Sequence, residues 1–195
     1  MMESGELLPT QLVPDIPTRM GGFTPENYSK TYQGAVPACM ALARSLNIPA
    51  VRMLHSYGVD RFYALLKTLG MTTLHRTASD YGLSLILGGA EGTLWDITGI
   101  YASMARRVNR HHRSETLETQ VFFEPHYVLT SDDKNSAIRS SGAPFSAGAC
   151  WLALQAMLEV VRPGEDRAWR NFASSRKIAW KTGTSYELRD GWAVG

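Results

Sequence analysis

Lys181-Thr182-Gly183-Thr184 closes a run, Lys177 to Thr184, that reads as a strand. Side chains alternate along a strand, so Lys181 and Gly183 point one way while Thr182 and Thr184 point the other. Two hydroxyls on one side suit an anionic ligand lying against the strand edge, and an ammonium on the opposite side raises the positive potential beneath it. Gly183 removes a side chain and lets another backbone come close. The same letters also describe a strand end turning into a loop. Ser45-Leu46-Asn47 stands at the junction of two helical patterns, where a hydroxyl and an amide in one turn can both face a cleft. Ser and Asn at such junctions also satisfy helix ends through their own side chains.

The elements that must position these groups are uneven along the chain. Up to about Gly34 the residues are rich in proline, glycine, asparagine and tyrosine without a sustained period, which predicts an extended segment draped over another part. From Val36 the pattern turns helical, with Ala38, Ala41, Leu42 and Ser45 on one face. Pro49 fits a first helical turn and Gly58 supplies a stop. Asp60 can cap a third helix, whose stripe of Phe62, Leu65, Leu66 and Leu69 ends at Gly70. Gly88, Gly89 and Gly92 break the chain. Thr93 and Asp96 then nearly match a capping box ahead of Ile97, Ile100, Tyr101 and Met104. The stretch from Val108 to Pro144 is mixed, with candidate strands over 120–123 and 126–130. Ser146 opens a helix that continues to Val161 and is stopped by Pro163 and Gly164, and a strand follows over Gly191 to Val194. Helices followed by late strands predict an α/β domain with a helical lobe. Its parts are an extended segment over 1–34, a mainly helical lobe over 36–107, and a helix-and-sheet portion over 108–195.

Composition excludes several function classes. With 195 residues, 44% of them apolar and 19% charged, the chain can bury a core and is not of disordered type. A formal net charge of +2 is too small to imply nucleic acid or an acidic membrane surface. Arg106, Arg107 and the run from Arg110 to Arg113 read as a solvated surface. Cys39 and Cys150 lack metal-ligand spacing and do not fix the redox compartment. His111 and His112 adjoin on a loop with no partner at ligand spacing, and Asp132 and Asp133 read as turn residues, so neither a metal site nor a cofactor is expected. No apolar run from Met1 to Thr18 could be a signal peptide or span. Gly88-Gly89-Ala90-Glu91-Gly92 and Lys181-Thr182 do not make a P-loop, because that motif needs its glycine before the lysine.

Taken together, Ser45-x-Asn47 and the distant Lys181-Thr182-Gly183 resemble the second and third active-site motifs of penicillin-binding proteins and serine β-lactamases. The resemblance to class A penicillin-binding proteins, most of all the 1C-type subgroup, covers nearly the whole chain in order. It includes Asp15-Ile16-Pro17, Tyr28, Tyr32-Gln33-Gly34, and the segment from Ala41 to Val51. Also similar are Leu83 to Gly89, Trp180 to Ser185, and Asp190 to Gly195. That family's first motif, a serine, two residues and a lysine, has no match ahead of Ser45. Ser131 with Lys134 and Ser174 with Lys177 fit the letters but follow Ser45, which is the wrong order. The expectation is a transpeptidase-like fold truncated at both ends, an antiparallel sheet flanked by helices plus a helical lobe, beginning downstream of the nucleophile.

The resemblance implies a D,D-transpeptidase that takes D-Ala-D-Ala stem peptides of peptidoglycan, is trapped by β-lactams, and uses no cofactor. The missing serine would attack and the missing lysine would act as its base. Ser45 would relay a proton, Asn47 would hold a substrate carbonyl, and Lys181 would tune the site electrostatically. Thr182 and Thr184 would bind the substrate carboxylate beside Gly183, and the Thr184 N–H would form half of the oxyanion hole. The parent would be extracytoplasmic, anchored to the inner membrane through an N-terminal part and joined to a glycosyltransferase domain. A non-catalytic module that binds β-lactam or stem peptide is the alternative, and these residues are compatible with both.

Overall fold

The computed structural model of the chain describes residues 1–113, 144–160, 177–185 and 189–195. Its first element is a strand that the sequence pattern conceals. β1 (Leu12–Asp15) folds back antiparallel onto β2 (Gly34–Pro37), with Val13 opposite Val36 and Asp15 opposite Gly34. Each strand is four residues long and contains a proline, which is tolerated because both are edges of a two-stranded sheet. Val36 therefore belongs to β2, and the helical pattern starts two residues later than the sequence suggests. Val13 and Val36 join Leu7, Ala38, Ala41 and Leu46 in one buried cluster.

Three helices follow. α1 (Ala38–Ala43) is short, and α2 (Asn47–Tyr57) carries Pro49 in its first turn, where the absent N–H has no intrahelical partner to lose. Gly58, at a φ of 96°, ends α2 and also stands at the N-cap of α3 (Val59–Thr68). Asp60 is thus in the first turn of α3 and not at its cap, and there its carboxyl still complements the helix dipole. The apolar stripe on α3 serves two cores. Phe62 and Leu66 pack with Leu54, Leu74, Tyr81 and Leu85, whereas Leu65 and Leu69 meet Ile100, Met104 and Phe145.

Beyond α3, α4 (Ala78–Tyr81) opens with a full capping box between Thr77 and Asp80 and runs into a 3-10 turn (Gly82–Leu87). α5 (Leu94–His112) is capped by the Thr93 hydroxyl, which accepts the Asp96 N–H at 3.0 Å. The Asp96 carboxyl does not close a capping box on the Thr93 backbone N–H. It accepts instead from the Thr72 N–H and hydroxyl, at 2.9 and 2.8 Å, so it fastens the preceding loop to the helix start. α5 continues past Val108, and His111 and His112 form its last turn instead of a loop.

α6 (Ala147–Met157) is capped by Ser146 and ends before Val161. β3 (Lys181–Thr184) and β4 (Gly191–Val194) pair antiparallel, with Lys181 opposite Val194 and Thr184 opposite Gly191. Residues 177–180, expected within the strand, are irregular. The candidate strands over 120–123 and 126–130, Ser131, Lys134, Asp132, Asp133 and Ser174 lie outside the described residues. Among the described residues, no helix is long and apolar enough to cross a membrane.

Candidate active site

Ser45 owes its position to the way α1 stops. The Leu46 N–H bonds the Ala41 carbonyl at 3.0 Å and the Ser45 N–H bonds the Leu42 carbonyl at 3.1 Å, the paired closure of a Schellman motif. Leu46 packs into the same buried cluster as Ala41, which is the hydrophobic contact that accompanies this motif. Ser45 itself takes the left-handed position, at a φ of 55°, where glycine is the usual residue. It is therefore not on the helical face with Ala38, Ala41 and Leu42. Its hydroxyl is thrown outward from the turn, exposed, toward β3.

There it meets Lys181. The Lys181 ammonium donates to the Ser45 hydroxyl across 136 positions of chain, and to the Thr182 carbonyl at 2.8 Å. Burial pushes the Lys181 amine below the ordinary lysine value, because a half-buried ammonium loses hydration. Neither Ser45 nor Asn47 caps a helix. Leu46 is the N-cap residue of α2 and makes no side-chain cap, while the Asn47 amide donates to the Glu26 carbonyl at 2.8 Å.

Thr182, Gly183 and Thr184 are exposed along β3. A Cβ at Gly183 would meet nothing within 4 Å, so no other backbone of the described residues crowds that point and the space over it is open. All four residues from Lys181 to Thr184 line a cavity of 740 Å³ together with the glycine segment 88–92, Ile97 and Tyr101 of α5 and Trp192 of β4. Ser45 and Asn47 lie outside that lining, and Lys181 is the residue common to both.

The glycine segment is held by residues that the sequence pattern did not flag. Tyr81 donates to the Glu91 carboxyl at 3.0 Å, and Arg76 reaches Glu91 at 3.1 Å and the Gly89 carbonyl at 3.2 Å. The Thr73 hydroxyl donates to the Glu91 carbonyl at 2.6 Å. The Glu91 N–H and the Tyr81 hydroxyl hold the Glu91 carboxyl below its ordinary value. Cys150 offers no replacement nucleophile, since burial pushes its thiol up to about 11 and leaves it 1% exposed.

Known proteins share this sequence along its whole length. Penicillin-binding protein 1C of Escherichia coli K12 is 34% identical over 194 residues, covering 100% of this chain and 22% of the relative. Penicillin-binding protein 1B of Vibrio cholerae is 32% identical over 178 residues, covering 89% and 21%. Over its length this chain is similar to the penicillin-binding proteins. It spans about a fifth of the length of these curated relatives, and no family model matches it. The transpeptidase-like α/β fold is shared with solved penicillin-binding proteins. A crystal structure of penicillin-binding protein 1A from Haemophilus influenzae superimposes with a TM-score of 0.66 at 19% identity, over 96% of this chain and 33% of that one. The D,D-transpeptidase domain of a peptidoglycan glycosyltransferase from Eggerthella lenta gives 0.67 at 16% identity, over 98% and 54%.

Proposed function

We propose that this chain supplies the second and third active-site motifs of a penicillin-binding D,D-transpeptidase that cross-links D-Ala-D-Ala stem peptides of peptidoglycan. The observation that carries the reading is the contact between Lys181 and Ser45, two motif residues brought together from distant parts of the chain. The nucleophilic serine and its lysine stand outside these 195 residues, because no Ser-x-x-Lys precedes Ser45. The chain by itself is therefore inactive.

In this reading the outside serine attacks the penultimate D-alanine carbonyl and forms an acyl-enzyme, releasing terminal D-alanine. An amine from a neighbouring stem then takes the acyl group. Ser45 passes a proton between the outside lysine and the departing nitrogen, helped by an adjacent Lys181 whose depressed pKa lowers the cost of proton exchange. Asn47 holds a substrate carbonyl. Thr182 and Thr184 receive the substrate carboxylate on the open side of β3, and the Thr184 N–H supplies one oxyanion donor. Removing one such donor costs about a hundred- to a thousand-fold in rate. The parent is an extracytoplasmic enzyme, anchored through residues N-terminal to this chain and joined to a glycosyltransferase domain.

Labelling by a fluorescent penicillin tests this. The chain as it stands takes no label. Joined to an upstream segment carrying Ser-x-x-Lys, it labels stoichiometrically. In the joined protein Lys181→Ala and Ser45→Ala slow acylation by about a hundred-fold or more, whereas Ser131→Ala and Ser174→Ala change little. A joined protein that folds yet stays unlabelled removes the catalytic reading in favour of a non-catalytic binding module.

A further inference from the structure

Asp15-Ile16-Pro17 and Tyr32-Gln33-Gly34 lie far from β3 in sequence, and the proposed chemistry gives them no part. Asp15 is nevertheless 0% exposed. One of its carboxyl oxygens accepts from the Asn27 amide at 2.7 Å and the other from the Gln33 N–H at 2.9 Å. These two bonds hold both ends of the loop over 27–33. The Asn27 amide also donates to the Thr31 carbonyl at 2.9 Å, which closes the loop on itself.

That loop and Glu26, which precedes it, grip the turn containing Ser45 at three points. On one side, the Gln33 side-chain carbonyl accepts from Arg44, the residue before Ser45. On the other, the Glu26 carbonyl accepts from the Asn47 amide at 2.8 Å. The Asn27 side-chain carbonyl accepts the Ile48 N–H at 3.3 Å, a donor at the start of α2 that the helix cannot satisfy itself. Ser45 sits between these anchors in a left-handed conformation that costs a non-glycine residue about 1–2 kcal/mol, so something must hold it there.

We infer that Asp15 is a positioning residue for the Ser45-x-Asn47 turn, acting through Asn27 and Gln33 to set where the Ser45 hydroxyl and the Asn47 amide stand relative to Lys181. A buried carboxyl with two well-aligned donors is a rigid post. A buried acceptor left unmatched is expensive, so the arrangement has few alternatives. The inference deepens the transpeptidase reading and rests on it for its catalytic meaning, but the geometry can be tested without turnover.

The first arm uses the full chain as it stands. Asp15→Asn and Asn27→Asp each keep side-chain volume while spoiling the donor–acceptor match. The double variant restores the match with the two groups exchanged. The amide now at position 15 donates to the carboxylate at position 27, and its carbonyl still accepts from Gln33. The carboxylate at position 27 still accepts from Ile48, while the bond to Thr31 is replaced by a carboxylate oxygen facing the Thr31 carbonyl, which the exposed Thr31 must turn aside to relieve. Two quantities are read by NMR: the titration midpoint of Lys181, and amide exchange at Ile48 compared with amides in α3. Each single variant is expected to speed Ile48 exchange at least ten-fold and to shift the Lys181 midpoint, with α3 exchange unchanged. The double variant returns both most of the way to the values of the unaltered chain. A general loss of stability would speed α3 as much as Ile48.

The second arm repeats the variants in the joined protein. Small displacements of positioned groups can cost about a hundred-fold, so penicillin acylation should slow by about that factor in each single variant and recover in the double. Folded single variants with an unchanged Lys181 midpoint overturn the inference, and so does a folded double variant whose midpoint stays shifted. Should a single variant not fold, the double variant alone decides by the same midpoint. If the unaltered joined protein takes no label, the transpeptidase reading fails while the first arm still decides the role of Asp15.

Discussion

Ser45 occupies a left-handed helix end where glycine is the usual residue, and its hydroxyl is the group that meets Lys181. The Schellman closure at the end of α1 requires a left-handed residue, and Ser45 meets it at a φ of 55°. Ser45→Gly and Ser45→Ala both delete the hydroxyl that meets Lys181, but only glycine relieves the backbone. Ser45→Gly is expected to be more stable than Ser45→Ala by about 1 kcal/mol, read from urea unfolding. Equal stabilities would mean that the turn imposes no strain there. Two glycines make a second contrast. A Cβ at Gly89 would run into the Ser84 hydroxyl and lie 2.8 Å from the Ser84 carbonyl oxygen, while one at Gly183 meets nothing within 4 Å. Gly89→Ala should therefore cost about 1–3 kcal/mol by overpacking and displace the glycine segment that lines the cavity. Gly183→Ala should leave unfolding nearly unchanged.

Among elements, the sequence was readable wherever a local pattern and a breaker coincided. α2 and α3 emerge from Pro49, Gly58, the Phe62–Leu69 stripe and Gly70, and α6 from the Ser146 cap. β1 was not readable, because four residues with a central proline carry no period and its pairing with β2 is made across a long loop. The glycine segment 88–92 was visible as a break, but the Tyr81, Arg76 and Thr73 bonds that hold it left no mark in any local spacing. The Asp96 carboxyl shows a subtler limit: its spacing from Thr93 suggested a reciprocal cap, and a better donor pair at Thr72 took it. Burial alone would raise the Asp96 pKa, but the hydrogen bonds from Thr72 and Thr93 outweigh it and the carboxyl is held below the ordinary value. A depressed carboxyl contributes stability that is present above the ordinary aspartate range of about 4 and is lost as pH falls through the lower folded value. Urea midpoints at about pH 5 and pH 3 should thus fall less in Asp96→Asn than in the unaltered chain. An equal fall in both would show that the Thr72 bonds do not couple to folding.

For the whole molecule, the candidate residues were legible in the sequence and the contacts that support them were not. Ser45, Asn47 and Lys181 were found by motif, and Lys181 does reach Ser45, yet nothing in the spacing revealed that Asp15 underlies the turn. Buried polar contacts of that kind depend on tertiary closure, which periodicity does not encode. The distribution of core has a consequence for motion. Among the described residues, the three buried apolar clusters are built from β1, β2, α1 to α5 and their loops, with Phe145 as the contribution from further along. β3 and β4 contain no fully buried residue, and three of the four residues of β3 are exposed. Backbone hydrogen bonds with little apolar cover open at low free energy, whereas those over a core open only with global unfolding. Amides of the β3–β4 pair should therefore exchange at least a hundred-fold faster than those of Val51 and Leu54, which are 0% and 4% exposed on α2. Under the proposed function a D-Ala-D-Ala peptide lies along β3, so a saturating concentration should slow exchange at β3, and at Val51 by no more than the same factor, since both local opening and global unfolding release it. Equal protection of β3 and α2 without peptide would contradict this account. It would mean that the strand pair is fastened by contacts other than the three clusters, and that the groove is built rigid before substrate arrives.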